Sequence, residues 1–348
     1  MRDELYIQRC FELARLGTGK VSPNPMVGAV LVYEGKIIGE GWHKAFGQAH
    51  AEVNCFESVR AEDRKLVPQS TLYCSLEPCS HFGKTPPCVD LILAQKAPRV
   101  VVANTDPNPL VAGKGLAKLR EAGVEVIYGV LAEEGAWLNR VFFTWISKKR
   151  PYIILKWARS VDGFLGRKGE RTPVSNPLAQ RMVHRWRAES DAILVGAVTA
   201  KIDDPQLDVR HYFGKNPLRV LLDGKGTTPI ERHLLSDEKP TLVFGPYRPG
   251  LSIQKTFVPC ENQAPMTNVI EILAQKNLAS LLVEGGATVL QQFIQQGLWD
   301  EIRIIVSPHP LKDGIEAPQV PAGAVLREQY LLGTDMVYLY TPTLQLRH

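Results

Sequence analysis

The chain has 348 residues, 45% hydrophobic and 22% charged, with a net charge of +5. That balance belongs to globular proteins, suits an anionic small molecule, and lacks the dense basic stripe that would mark a nucleic-acid binder. With no apolar run of ~18 residues and only six cysteines, neither a membrane span nor a disulfide framework is expected, and the length predicts about two domains in the cytoplasm.

The amino terminus mixes charges into a helical stripe of Leu5, Ile7, Phe11, Leu13, Ala14 and Leu16, and so reads as an amphipathic helix rather than a signal peptide. Val27 to Trp42 follows as two short strands joined by a Glu-Gly turn. HAEVNCFESV begins a helix, Thr71 to Leu76 a buried strand, and Pro86 to Gln95 a second helix with proline near its start. RVVVAN, GKGLAKLREAG and VEVIYG read as strand, helix and strand, and a single helix is expected from Leu131 to Ile146. At SKKRPY (Ser147 to Tyr152) a basic, proline-containing break resets the pattern, which places domains at 1–146 and 151–348. Beyond it YIILKWA, DAILVGA, LRVLLDG, TLVFG and SLLVEGG read as strands. Helices are expected at Pro177–Ala188, Met266–Lys276 and Ala287–Gln296, and MVYLYTP is the last strand. Strands separated by helices predict α/β layers with at least partly parallel pairing.

The sharpest local signal is His50-Ala51-Glu52, then Glu77-Pro78-Cys79, then Thr85-Pro86-Pro87-Cys88. A catalytic zinc typically takes three protein ligands and leaves its fourth position to water. His50, Cys79 and Cys88 meet that count, at predicted helix starts and just past a strand end, where α/β layers present their sites. Glu52, two residues beyond the histidine, need not be a ligand and can point at the metal-bound water as a proton shuttle. A structural zinc would instead want a fourth ligand, which Cys74 or His81 would supply. Cys10, Cys55 and Cys260 are assigned to packing, and Cys74 with them.

These motifs resemble the cytidine-deaminase superfamily, whose zinc signature is H-x-E with P-C-x-x-C. Here eight residues, Ser80 to Pro87, separate the two cysteines. That insert, with SPNPMVGAV (Ser22 to Val30) and TDPNPLVAGKG (Thr105 to Gly115), is similar to the bifunctional deaminase–reductases of riboflavin biosynthesis. The resemblance implies a cytidine-deaminase-like α/β/α sandwich acting on a diaminopyrimidinone that carries a ribosylamino 5′-phosphate. It also implies that Asn24, His43 and Lys84 line the pocket, Asn24 on the pyrimidine edge and Lys84 on the phosphate. Read without it, Asn24 is a turn residue between prolines, His43 a structural histidine and Lys84 a solvated loop lysine.

KWARSVDGFLG (Lys156 to Gly166) and LLVEGGATVLQQF (Leu281 to Phe293) resemble the reductase half of the same family, with a dihydrofolate-reductase-like fold, NADPH as cofactor and homo-oligomeric association. The resemblance puts Ala158, Thr199, Asp203, Gly285 and Gly286 at dinucleotide positions, and Arg187, Leu207, Arg210 and Glu284 at substrate positions. Two glycines between a strand and a helix suit a pyrophosphate held on backbone N–H groups, although they also suit a plain turn. Arg187 reads equally as a solvated helix residue and Asp203 as a turn cap. Arg171 and Pro173 stand where the family often has Ser and Trp, which clouds the cofactor side of that loop.

Overall fold

In a computed structural model, which describes residues 2–80, 86–108, 111–260 and 266–343, the chain folds as two units, Met1–Lys149 and Arg150–His348. In the first unit the strands are β1 (Gly28–Tyr33), β2 (Lys36–Trp42), β3 (Thr71–Leu76), β4 (Arg99–Asn104) and β5 (Glu125–Tyr128), ordered β2-β1-β3-β4-β5. The β1 strand pairs antiparallel with β2 and β3, whereas β3, β4 and β5 run parallel.

Alternation along these strands builds two cores. Val30, Tyr73, Val101 and Ala103 pack on the helix Arg2–Arg15 through Ile7, Cys10, Phe11 and Ala14. Ala29, Leu31, Leu72, Cys74, Val100 and Val102 face the opposite layer, formed by helices Ala51–Glu57, Cys88–Ala94 and Lys114–Glu121. The result is an α/β/α sandwich. Cys10, Cys55 and Cys74 are fully buried in it, as their packing assignment requires.

The single helix expected from Leu131 to Ile146 is instead two, Ala132–Leu138 and Arg140–Lys148, broken at Asn139. The buried Asn139 amide accepts from the Met26 N–H at 2.8 Å and donates to the Met26 carbonyl at 2.9 Å. A side chain that serves a distant backbone in both directions replaces a turn of helix, and no local periodicity announces it.

The second unit contains β6 (Tyr152–Ser160), β7 (Phe164–Gly166), β8 (Ala192–Gly196), β9 (Leu218–Leu222), β10 (Thr241–Phe244) and β11 (Lys255–Val258). It continues with β12 (Ser280–Gly285), β13 (Glu301–Ser307), β14 (Ile315–Glu316), β15 (Ala324–Leu332) and β16 (Asp335–Pro342). A nine-stranded sheet runs β11-β10-β9-β8-β12-β6-β13-β16-β15, parallel from β11 to β13 and closed by an antiparallel hairpin. Ile153, Leu155, Leu194, Val220 and Leu281 pack with Val269, Leu273, Leu290 and Phe293 from helices Met266–Gln275 and Ala287–Gln295. The sequence pattern hid β13, because Glu301 and Arg303 interrupt its apolar run. Both are buried there as an ion pair at 2.5 Å. It also hid β15, most of whose residues are exposed.

Candidate metal centre and active-site cavities

His50 is the N-cap of the helix Ala51–Glu57, with an extended backbone (φ −71°, ψ 165°) and no side-chain capping bond, so its ring is left for another task. Cys79 follows the end of β3, and Cys88 is the first residue of the helix Cys88–Ala94. These elements bring Cys88 Sγ to 3.3 Å and Cys79 Sγ to 3.5 Å from His50 Nδ1, and the three atoms lie within 4.8 Å of one another. Tetrahedral zinc at its usual bond lengths holds sulfur and nitrogen about 3.6 Å apart, so the donor set fits that ion. Among the described residues no further His, Cys or carboxylate joins the group. Cys74 is fully buried in β3 and outside it. His81 lies outside the described residues.

The electrostatics suit a thiolate centre. The hydrogen bond with Cys88, and then the His50 ring, hold the Cys79 thiol down at about 4, and the Cys88 backbone N–H also donates to Cys79 Sγ at 3.3 Å. Cys88, which keeps the proton when no metal is present, is pushed up by that same bond and by burial. His50 is raised chiefly by Cys79. Glu52 is 3% exposed, and burial, followed by the Cys79 thiolate, pushes its carboxyl up to about 7.

Glu52, His50 and Cys79 open into a cavity of about 420 Å³ that Asn24 and His43 also line. A donor–acceptor chain fixes both side chains. The Ala49 carbonyl can only accept, so His43 Nδ1 carries the proton across their 3.1 Å contact. Burial lowers the pKa of His43 and keeps the ring neutral, so Nε2 is an acceptor. It must therefore face Asn24 Nδ2, at 3.3 Å, which leaves Asn24 Oδ1 as the acceptor available to a ligand. Lys84 lies outside the described residues.

In the second unit a cavity of about 910 Å³ opens where the parallel strands end, and it is lined by Ala158, Arg187, Thr199, Asp203, Leu207, Arg210, Glu284, Gly285 and Gly286 together. A Cβ built at Gly286 would stand 3.0 Å from Thr199 Oγ1, so glycine lets these two segments close on each other. Gly286 N-caps the helix Ala287–Gln295, whose first turn receives no side-chain cap and presents its N–H groups. Arg187 is buried rather than solvated. Its Nε and Nη2 each donate to Glu284 at 2.8 Å, and Nη1 donates to the Asp208 carbonyl. Burial alone would raise Glu284, but Arg187 and Lys156 outweigh it and hold the carboxyl at about 2. Arg210 pairs with Asp208 at 2.6 Å. Asp203 is raised by burial, against the pull of Arg171, and both Arg171 and Pro173 line this cavity.

Residues 1–104 match the family model of the cytidine and deoxycytidylate deaminase zinc-binding region, and residues 151–313 match that of the RibD C-terminal domain. The riboflavin biosynthesis protein RibD of Aquifex aeolicus is 39% identical over 320 residues, covering 90% of this chain and 89% of that protein. The chain belongs to the RibD family. RibD of Bacillus amyloliquefaciens is 38% identical over 92% of this chain and 88% of its own. The crystal structure of a diaminohydroxyphosphoribosylaminopyrimidine deaminase/5-amino-6-(5-phosphoribosylamino)uracil reductase from Thermotoga maritima superimposes with a TM-score of 0.89 at 34% identity, covering 98% of this chain and 99% of that one. Acinetobacter baumannii RibD gives a TM-score of 0.86 at 36% identity, with 98% and 99% covered. As a RibD, the chain is a bifunctional deaminase and reductase of riboflavin biosynthesis, with a zinc-binding deaminase region and a reductase region.

Three residues of these cavities were given no role of their own by the sequence. Lys156, half-buried on β6, lines the larger cavity; burial lowers its pKa while Glu284 opposes the fall. His184 lines the same cavity and is lowered to about 4 by burial and then by Arg187 and Arg210. Glu77 is buried beside the metal ligands and accepts several backbone N–H groups. Lys156 carried a usable signal, a lysine inside the apolar run YIILKWA. Glu77 stood in the Glu77-Pro78-Cys79 motif without a task assigned to it, and His184 carried none.

Proposed function

We propose that residues 1–146 deaminate a diaminopyrimidinone bearing a ribosylamino 5′-phosphate, and that residues 151–348 reduce its ribosyl group to a ribityl chain with NADPH. The observation that carries the first half is the convergence of His50, Cys79 and Cys88 beside the buried carboxylate of Glu52. His50, Cys79 and Cys88 would hold zinc, which, when bound, acidifies a water so that it attacks near neutral pH. Glu52, in the first turn of the helix that His50 caps, takes one proton from the attacking water and gives it to the ring nitrogen, then takes the second from the new C–OH and gives it to the leaving amine, which departs as ammonia. Asn24 Oδ1 accepts from an N–H of the pyrimidine edge, held by His43. Lys84 is assigned to the phosphate.

In the reductase, NADPH supplies a hydride for ribose C1′. Gly285, Gly286, Ala158, Thr199 and Asp203 line the part of the cavity that would seat it. Arg210 faces the ribose phosphate and Leu207 shapes the pocket beside it. Arg187 has its fork occupied by Glu284, so its task is to orient that carboxylate towards the substrate. The C1′–O4′ bond opens as hydride arrives at C1′, and Lys156, which lines this cavity and feels the Glu284 charge, gives a proton to O4′. We place the protein in the cytoplasm, since sparse cysteines with no disulfide among them suit a reducing compartment. Copies associate through the exposed edge strand β15, where Val325, Leu326 and Leu331 are uncovered. The test is an assay of the purified chain on the diaminopyrimidinone ribotide with and without NADPH, together with metal analysis. Deaminated product without NADPH and ribityl product with it are expected, and turnover of neither kind refutes the reading.

A further inference from the structure

One wall of the deaminase cavity comes from a segment distant in sequence from the strand end that Cys79 follows. Asp106, Asn108 and Val111 line it, about thirty residues beyond Cys79 along the chain. The β3–β4 ladder joins the two segments as far as the bond from the Glu77 N–H to the Asn104 carbonyl at 2.8 Å, and beyond it a buried carboxylate continues the link. Glu77, 5% exposed, accepts the Asp106 N–H at 3.1 Å and the Gly113 N–H at 2.9 Å through Oε2. Through Oε1 it accepts the Gly115 N–H at 2.9 Å and the Leu116 N–H at 3.4 Å. The last two belong to the first turn of the helix Lys114–Glu121, whose own N-cap, Gly113, has no side chain to offer. Glu77 therefore caps that helix from another segment, where its positive end favours an anion. Gly115 makes the approach: a Cβ there would stand 2.4 Å from the Pro78 carbonyl and 3.1 Å from Glu77 Oε1. The Asp106 carboxylate accepts the Asn108 N–H at 2.8 Å, which carries the constraint from the Glu77-bonded backbone to the cavity wall.

We infer that Glu77 is a positioning residue of the deaminase: it holds the Asp106–Asn108 wall in register with the metal-ligand strand end, and so sets how tightly the pyrimidine ribotide is gripped. The inference rests on the deaminase reading above. Glu77 also lines the cavity, but both its oxygens are taken up by backbone N–H groups, so its removal acts through the wall on substrate binding rather than on the chemical step.

The experiment uses the full-length zinc-loaded chain and its Glu77→Gln variant, in which one acceptor oxygen, with two N–H partners, is replaced by a donor. Zinc content, the hydrogen exchange of residues 113–116, and KM and kcat for deamination are measured, with the hydrogen exchange of the buried strands β1 and β3 of the same unit as the folding control. Expected are full zinc, exchange faster at Gly115 and Leu116, and a KM roughly tenfold higher, as losing a charged acceptor predicts, with kcat nearly unchanged. Loss of zinc together with kcat would overturn the inference, and so would an unchanged KM despite faster exchange. Gly115→Ala keeps the carboxylate and pushes the helix start away from it, so it should raise KM in the same way even if the first variant folds poorly. A normal KM in that variant also overturns the inference. Were the deaminase reading itself wrong, the unmodified chain would show no turnover to perturb.

Discussion

Replacing Arg187 by Met removes one half of the buried pair on which the reductase cavity is organised. The side chains of Arg187 and Glu284 are 11% and 8% exposed and meet through two hydrogen bonds of 2.8 Å. The folded environment depresses the Glu284 carboxyl from 4.5 to about 2, which at 1.36 kcal/mol per unit is worth about 3 kcal/mol at neutral pH. Breaking a buried pair by deleting one partner costs about 3–5 kcal/mol. With Lys156 still facing Glu284, the lower end applies. Because the folded pKa is the depressed one, this contribution is complete above about 4.5 and is lost as the pH falls towards about 2. Urea unfolding at pH 7, followed through the hydrogen exchange of the buried strands β6 and β8, should show a destabilisation of about 3 kcal/mol in Arg187→Met, with deamination intact. Adding Glu284→Gln should recover most of it, since the stranded charge is then gone. A single variant within about 1 kcal/mol of the parent, or a double variant no more stable than the single, refutes the reasoning.

Glu52→Gln should keep its zinc and lose roughly 10²–10⁴ in deamination rate, while reduction of pre-deaminated substrate is unchanged; metal analysis and the two separate assays check this. Chelation of zinc should abolish deamination and spare reduction, with recovery on adding zinc back, and a reductase that dies in parallel contradicts the assignment. Asn139→Ala strands the Met26 N–H and carbonyl, so it should cost about 1–3 kcal/mol in the deaminase unit, measured by thermal unfolding. Gly286→Ala forces a methyl to within 3.0 Å of Thr199 Oγ1 and should weaken NADPH binding about tenfold or more, read by titration calorimetry.

What the sequence displays and what it conceals divide along physical lines. The His50 and Cys88 positions were legible because helix starts and strand ends are local patterns, and three ligands of the right chemistry fall on them. Thr71–Leu76 and Pro177–Ala188 were visible as elements for the same reason. Asn139 and Glu77 were not, since each works by bonding backbone far away in the chain, and neither spacing nor composition encodes that partner. The β13 strand was obscured because burial of a charged pair imitates a solvated segment. The role of Arg187 needed the fold as well, because a helix surface looks the same in sequence whether it meets water or Glu284.

Among the described residues, each of the two cavities takes its walls from one unit alone. Each reaction is accordingly housed by one continuous stretch of chain, and a substitution that reshapes one chamber redraws no wall of the other.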